Sequence, residues 1–366
     1  MTIITFEFAL LFTYAALLAA FTFAAVRQRR NEADISTAIG ISIVVALRNE
    51  ENNVEALVKS LLVQQYPQEL FEIILVDDHS IDNTISKIQF HPQVKVVCIN
   101  NHSQGKKAAL KAGISAAQFP YAALTDADCR PTPFWLGSLA SLINREEPTL
   151  IAGPVAMQHS QGLISAFQYW ELEILQTVTY GSAALGFPTM CNGANLLIST
   201  TGYQNADLKE GKSSSGDDMF LLHHFLKQDW RVMFTRSSNA IVYTYPESTF
   251  TSMLQQQLRW ASKSKHYRHP TTIALGTITF LTNAGLVLLT ILTSFGLCTI
   301  ELLLYTFCIK IMAEGASAYL PRQKVRGKKP SIFSFLLSSL AMPFYATFVA
   351  IASTVVKIRW KGRTIV

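Results

Sequence analysis

The chain has 366 residues, 49% of them hydrophobic and only 15% charged, which excludes an entirely water-soluble protein, since soluble domains carry about 25% charged residues. The net charge of +6 does not point to nucleic acid. Many basic residues flank apolar segments, where anionic lipid headgroups account for them, and no zinc-finger spacing, RNA-binding aromatic signature or basic helix accompanies them.

In chain order, the first feature is the almost wholly apolar run Phe6 to Val26, long enough for one membrane span at about 20 residues per crossing. It has no basic leader and outlasts a signal-peptide core, so residues 1–30 read as an uncleaved anchor. Arg27, Arg29 and Arg30 follow it and assign that end to the cytoplasm. The cysteines (Cys98, Cys129, Cys191, Cys298 and Cys308) are few, odd in number and scattered. That is no secreted disulfide framework, in keeping with a cytoplasmic domain.

From Ile41 the pattern becomes that of a soluble domain. Ile41 to Leu47, Phe71 to Val76, Val94 to Ile99 and Tyr121 to Thr125 read as strands; Val54 to Gln65 and Gly105 to Gln118 read as helices. Asp82 is placed to cap a further helix. Strands alternating with helices imply an α/β domain with right-handed crossovers and a mostly parallel sheet. Ligands bind beyond the carboxyl ends of such strands. Those ends carry "RNEE" with Glu50, "DDHS" with Asp77 and Asp78, and "TDADC" with Asp126 and Asp128. Grouped carboxylates repel one another unless a cation joins them. A hard divalent ion such as Mg²⁺ or Mn²⁺, shared with substrate phosphates, suits oxygen ligands of this kind.

Further on, Ser248 to His269 is basic and amphipathic and directly precedes the membrane region, so residues 248–270 read as an interfacial helix. Within 271–366, Thr272 to Met312 has room for two spans and Ile332 to Val356 for one. The basic loop "PRQKVRGKKP" and the basic tail "KIRWKGR" both claim the cytoplasmic side. Either Pro343 breaks the last segment into a re-entrant or interfacial pair, or the tail is an exception. His223 and His224 are adjacent on a helical stretch and face different ways, which makes them poor joint metal ligands. Kinase, hydrolase and metalloprotease signatures are absent.

From Ile43 to Trp260 the ordered motifs "VVALRNEENNV", "IILVDDHSIDNT", "GKKAALKAG", "LTDADC", "NGANLLIS", "SGDDMFL" and "QQLRW" resemble a family 2 glycosyltransferase of the GT-A fold. The resemblance implies a Rossmann-like, mostly parallel cytoplasmic domain over residues 38–247 joined to transmembrane helices. It implies that Glu50, Asp77, Asp78, Lys106 and Asp126 contact a nucleotide-sugar donor, with Asp128 and Asp126 at the metal. It further implies that Asp218 is the general base, with Gln256, Arg259 and Trp260 of the Q-x-x-R-W element completing the catalytic face. Asp217-Asp218 stands where the family has Glu-Asp, and Ala46 where a Pro is usual. Asn192 replaces the Cys frequent in processive synthases, with Cys191 one position earlier, which speaks against a long-polymer role.

The resulting expectation is a multi-pass cell-membrane enzyme with a cytoplasmic catalytic domain. It would transfer a sugar from a nucleotide-diphosphate sugar, a UDP-sugar by resemblance, to a lipid or membrane-glycan hydroxyl, with inversion. A processive polysaccharide synthase and a non-catalytic nucleotide-sugar-binding subunit are the alternatives.

Overall fold

The computed structural model describes residues 2–28, 39–100, 103–158, 161–206, 217–321, 329–356, 359–360 and 363–364. Arg29 and Arg30, the stretch 211–216 ("GKSSSG"), the centre of the basic loop (322–328) and part of the basic tail fall outside them. The elements in order are α1 (Thr2–Arg27), β1 (Ile41–Leu47), α2 (Val54–Leu62), β2 (Phe71–Asp77), β3 (Val94–Cys98), α3 (Lys106–Ser115), β4 (Tyr121–Leu124), β5 (Arg130–Pro131) and α4 (Trp135–Glu146). There follow β6 (Leu150–Ala152), β7 (Val155–Met157), α5 (Leu163–Ala184), β8 (Leu196–Ser199), α6 (Thr200–Asn205), α7 (Asp217–Lys227), β9 (Val232–Phe234) and β10 (Val242–Thr244). The chain continues with α8 (Phe250–Ser262), α9 (Pro270–Ser294), α10 (Ile300–Tyr319) and α11 (Ile332–Val355).

The main sheet has seven strands in the order β3-β2-β1-β4-β8-β6-β9, and β5-β10-β7 form a second, smaller sheet. β3, β2, β1 and β4 run parallel, with Leu47 beside Asp77 and Val44 beside Leu124. β8 enters antiparallel between β4 and β6. Alternate residues of a strand face opposite sides, and both sides here are apolar. Ile41, Ile43, Val45 and Leu47 pack with Leu57 and Leu61 of α2 and Trp135 and Leu139 of α4. Val44, Ile74 and Val76 pack with Leu110 of α3 and Leu222 and Phe225 of α7. The result is a three-layer α/β domain, as the sequence implies.

Among the described helices three are long and apolar enough to cross a membrane: Thr5–Arg27, Pro270–Ser294 and Ile332–Val355. The second of the two spans expected in Thr272 to Met312 falls on α10. α10 carries Glu301, Lys310 and Glu314 and is not one of the three; it packs among them, touching α1, α9 and α11. Lys310 is fully buried and donates to Glu314 Oε1 at 2.5 Å, and the Tyr14 hydroxyl donates to the same oxygen at 3.0 Å. Charges inside such a bundle persist by pairing. Pro343 does not break the last segment: α11 is one helix with Pro343 inside it, as neighbouring helices allow.

Gly181 and Arg236 are among the residues that join the bundle to the α/β domain. Gly181 lets α5 cross α1 at backbone distance, since a Cβ there would run into the Phe21 carbonyl. Arg236, only 4% exposed, donates to the carbonyls of Ala25 and Pro321 at the ends of α1 and α10, where a cation complements the helix dipole.

Candidate active site

The loops after β1 and β2 are stitched together by backbone and side-chain bonds. Arg48 is buried and donates through Nη1 to the carbonyls of Asp78 (2.6 Å) and His79 (3.1 Å). Glu50 N donates to Thr84 Oγ1 at 2.7 Å, and Glu51 N to Asp82 Oδ2 at 3.1 Å. Asp82 also accepts from Thr84 N at 3.0 Å, which makes it a turn residue. The helix expected after Asp82 does not form: residues 82–87 are bends and turns, and their apolar spacing is too sparse to give a helix a buried face.

This places the donor-side residues. Asp77 accepts the Ser80 amide at 3.2 Å, so its carboxylate holds the turn. The Asp78 side chain is 3% exposed; its Oδ2 accepts the Gly105 amide at 3.1 Å and its Oδ1 lies 3.2 Å from His79 Nδ1. Gly105 has φ +91°, a conformation that glycine adopts without strain, and it starts α3 so that Lys106 faces the next strand end. Lys106 Nζ pairs with Asp126 Oδ1. The Lys106 side chain is therefore tied to the acid pair and is no stray surface charge. Glu50 Oε2 accepts from Asn53 Nδ2 at 2.8 Å.

Burial pushes the Asp128 carboxyl up, and the neighbouring Asp126 and Glu50 carboxylates push it further. Burial pushes Asp126 up as well, but Lys106, then Arg259 and Lys263, outweigh this and hold it below the ordinary value. Adjacent acids on one loop are thus driven apart. Among the described residues no three His, Cys, Asp or Glu side chains form a closed metal site. An octahedral cation such as Mg²⁺ takes one or two carboxylates and completes its shell with phosphate and water oxygens, and Asp126 and Asp128 with their mutual repulsion fit that requirement.

The opposite wall comes from α7 and α8. Asp218 Oδ2 accepts the Gly193 amide at 3.0 Å and Oδ1 accepts the Met219 amide at 2.9 Å. A Cβ on Gly193 would stand 3.1 Å from Asp218 Oδ2, so the "NGAN" glycine is where the backbone closes on this carboxylate. Asp217 opens α7, but its side chain lies outside the described residues. The helix carrying Q-x-x-R-W is α8, shorter than the span 248–270. Thr249 caps it by accepting the Ser252 amide at 3.1 Å, and a 3-10 turn, Lys263–His266, leads on to α9. Gln256 Nε2 donates to Glu247 Oε1 at 3.2 Å. Burial pulls the Arg259 guanidinium down, while Asp126, Asp128, Asp218 and Glu247 pull it back up, so one cation feels both the acid pair and Asp218. Trp260 is 43% exposed, with the Arg259 guanidinium carbon 5.9 Å from its ring centre.

His223 and His224 do face different ways. His223 stacks on His269 at 5.1 Å, and burial, then His269, push it down to about 4; His224 packs on Trp230 at 5.7 Å. Sequence reasoning missed Glu247 and the backbone donor at Gly193. Pro246 and the Thr249 cap mark a helix entry nearby, but no local pattern singles out the glutamate.

Chemically, Lys106 on one wall and Arg259 on the other can neutralise a diphosphate between them, with the fixed carboxylate of Asp218 on the same wall as Arg259.

The profile described as Glycosyl transferase family 2 matches residues 42–191, and that described as Glycosyl transferase family group 2 matches residues 122–351. Glycosyltransferase AglE of Haloferax volcanii is 23% identical over 61% of this chain and 72% of its own length. The poly-β-1,6-N-acetyl-D-glucosamine synthase of Staphylococcus epidermidis is 23% identical over 61% of this chain, which spans 54% of that synthase. Among solved structures, a Pyrobaculum calidifontis mannosyltransferase in complex with GDP-Man and Mn²⁺ shares the fold with a TM-score of 0.63 at 13% identity, over 94% of this chain and 99% of that one.

Proposed function

The chain belongs to glycosyl transferase family group 2, and from that premise we propose that it is a membrane-bound, inverting enzyme moving a sugar from a UDP-sugar to a hydroxyl of a lipid or lipid-linked acceptor. The observation that supports this reading is Arg259, whose guanidinium is favoured electrostatically by Asp126, Asp128 and Asp218 alike, beside an Asp218 whose two oxygens are held by backbone amides. Donor and base sides on this reading share one site.

Asp218 is the general base. Backbone amides hold both of its oxygens, which fixes the direction from which it takes the acceptor proton as the hydroxyl attacks. One carboxylate on the face opposite the leaving group is enough for inversion and leaves no covalent intermediate. Arg259 and Lys106 bind the diphosphate, Arg259 through its planar fork. Asp78 and the loop around Glu50 line the nucleoside side. A divalent ion held by Asp128 and Asp126 would supply Lewis-acid neutralisation of the leaving diphosphate. The lipid acceptor rests on α8: Leu254, Leu258 and Ala261 of this helix pack on Tyr345, Val349 and Ala352 of the apolar helix α11, so the cleft opens beside the bundle.

The test is a panel of nucleotide sugars incubated with the full chain and membrane lipid extract, scored for released nucleoside diphosphate with and without EDTA. One sugar per lipid, lost on chelation, is the expected result. A ladder of product lengths would replace the lipid reading with a processive synthase. Release unaltered by Asp218→Asn would end the base assignment.

A further inference from the structure

Side chains outside every motif converge on the helix that presents Gln256 and Arg259. Gln168 on α5 is 4% exposed and grips residue 247 from both sides. Its Oε1 accepts the Glu247 amide at 2.9 Å, and its Nε2 donates to the Glu247 carbonyl at 3.0 Å. A carboxamide carries a donor and an acceptor side by side on one plane, which suits it to grip a backbone N–H and a backbone carbonyl at once. Fixed at its backbone, Glu247 offers its carboxylate to Gln256 Nε2 at 3.2 Å. One turn further along α5, Glu171 Oε2 accepts Gln257 Nε2 at 2.7 Å. α8 is therefore held at two successive residues, 256 and 257, whose side chains leave the helix about 100° apart.

That spacing matters. A helix restrained at one point can roll about its axis, and one restrained at two adjacent bearings cannot. At a helix surface about 5–6 Å from the axis, a roll of about 15° moves a group by about 1.5 Å. Misplacement on that scale costs a reaction about 10²-fold.

We propose that Gln168, Glu247 and Glu171 are positioning residues through which α5 sets the rotation of α8, and so aims Gln256 and Arg259 at the donor diphosphate. α5 suits the task because it is itself braced: it packs on α1, α10 and α11, with Trp170 Nε1 donating to Ser334 Oγ of α11 at 3.2 Å. The helices that seat the protein thus also fix the bearing of its arginine. This inference rests on the reading of Arg259 as a diphosphate ligand, and the experiment separates the two.

The full chain in detergent would be compared with Gln168→Leu, Glu171→Leu, Glu171→Gln and Arg259→Ala. Binding of UDP and of GDP, each with Mn²⁺, would be followed by calorimetry, and donor and acceptor kinetics measured alongside melting temperature. Gln168→Leu and Glu171→Leu are expected to weaken diphosphate binding and to lower kcat/KM for the donor by about ten- to a hundredfold, with acceptor KM unchanged. Glu171→Gln keeps an acceptor for Gln257 and is expected to retain donor kcat/KM within about twofold. Folded Gln168→Leu with wild-type diphosphate affinity and donor kcat/KM would overturn the inference. If that variant fails to fold, Glu171→Leu decides in the same terms. Wild-type diphosphate binding by Arg259→Ala would instead sink the reading of Arg259 itself.

Discussion

The two walls of the cleft are built by different means. The donor floor is held by neighbouring parallel strands: Asp77 ends β2, Asp78 follows it, Asp126 and Asp128 come just after β4, and bonds between adjacent strand-end loops, such as Arg48–Asp78, Gly105–Asp78 and Lys106–Asp126, fix them. The facing wall, with Asp218, Gln256 and Arg259, rides on helices whose bearings depend on single side-chain pairs, such as Gly193–Asp218, and on the more remote Gln168–Glu247 and Glu171–Gln257. A site so made has a rigid half set by backbone topology and a half whose aim is adjustable by single side chains. Substitutions on the floor should therefore act on binding and folding, whereas on the wall those at Asp218 should act on turnover and those that aim Arg259 on diphosphate binding.

The largest break in that contrast is expected from Asp218→Asn. Turnover should fall by about 10²–10⁴-fold, the usual worth of a general base, with nucleoside diphosphate binding intact by calorimetry. Asp128→Asn should act from the floor instead, costing about 10²–10³-fold, as losing electrostatic stabilisation of a leaving group does, together with diphosphate affinity and sensitivity to EDTA. Gly193→Ala sharpens the comparison, because its new methyl would press on Asp218 Oδ2 at 3.1 Å. Displacing the base by a few tenths of an ångström should lower kcat by about tenfold and leave donor KM unchanged in steady-state assays.

On the floor, Arg48→Leu strands two buried carbonyls and should cost about 2–3 kcal/mol of stability, visible as a lower melting temperature. A pH dependence is expected on the wall. Burial raises the Glu171 carboxyl from 4.5 to about 7. The folded state then keeps a proton that the unfolded chain has released. The stability this contributes is full below pH 4.5 and is lost as pH rises through about 7. Melting curves across that window should slope downward for the native chain and flatten for Glu171→Gln.

The same division governs what the sequence makes legible. β1 appears with the boundaries read from "ISIVVAL", and β2 and β4 within a residue of theirs, because β-branched runs buried on both faces have few alternatives. The acids at their ends follow from topology alone. β8, by contrast, is a short segment whose antiparallel place between β4 and β6 is fixed only by partners on remote strands. Gln168 and Glu247 are single polar residues 79 positions apart, and no periodicity joins them. The helix expected after Asp82 failed for a related reason: a good cap stabilises a helix that has a face to bury, and the stretch after Asp82 has none. The helix in the second half of Thr272 to Met312 carries the Lys310–Glu314 pair, which suits a helix enclosed by others better than one facing lipid, and no hydropathy pattern shows which helices would enclose it.

Arg236 carries a mechanical consequence. One guanidinium ties the end of α1 and the segment after α10 to the strand side of the catalytic domain, and Gly181 locks α5 against α1 nearby. Tied at both points, the α/β domain and these helices are expected to move together at that seam. Under the proposed function, a lipid acceptor would have to bridge the distance set by that seam with its own headgroup, so the length between anchor and reactive hydroxyl would be a ruler by which acceptors are sorted.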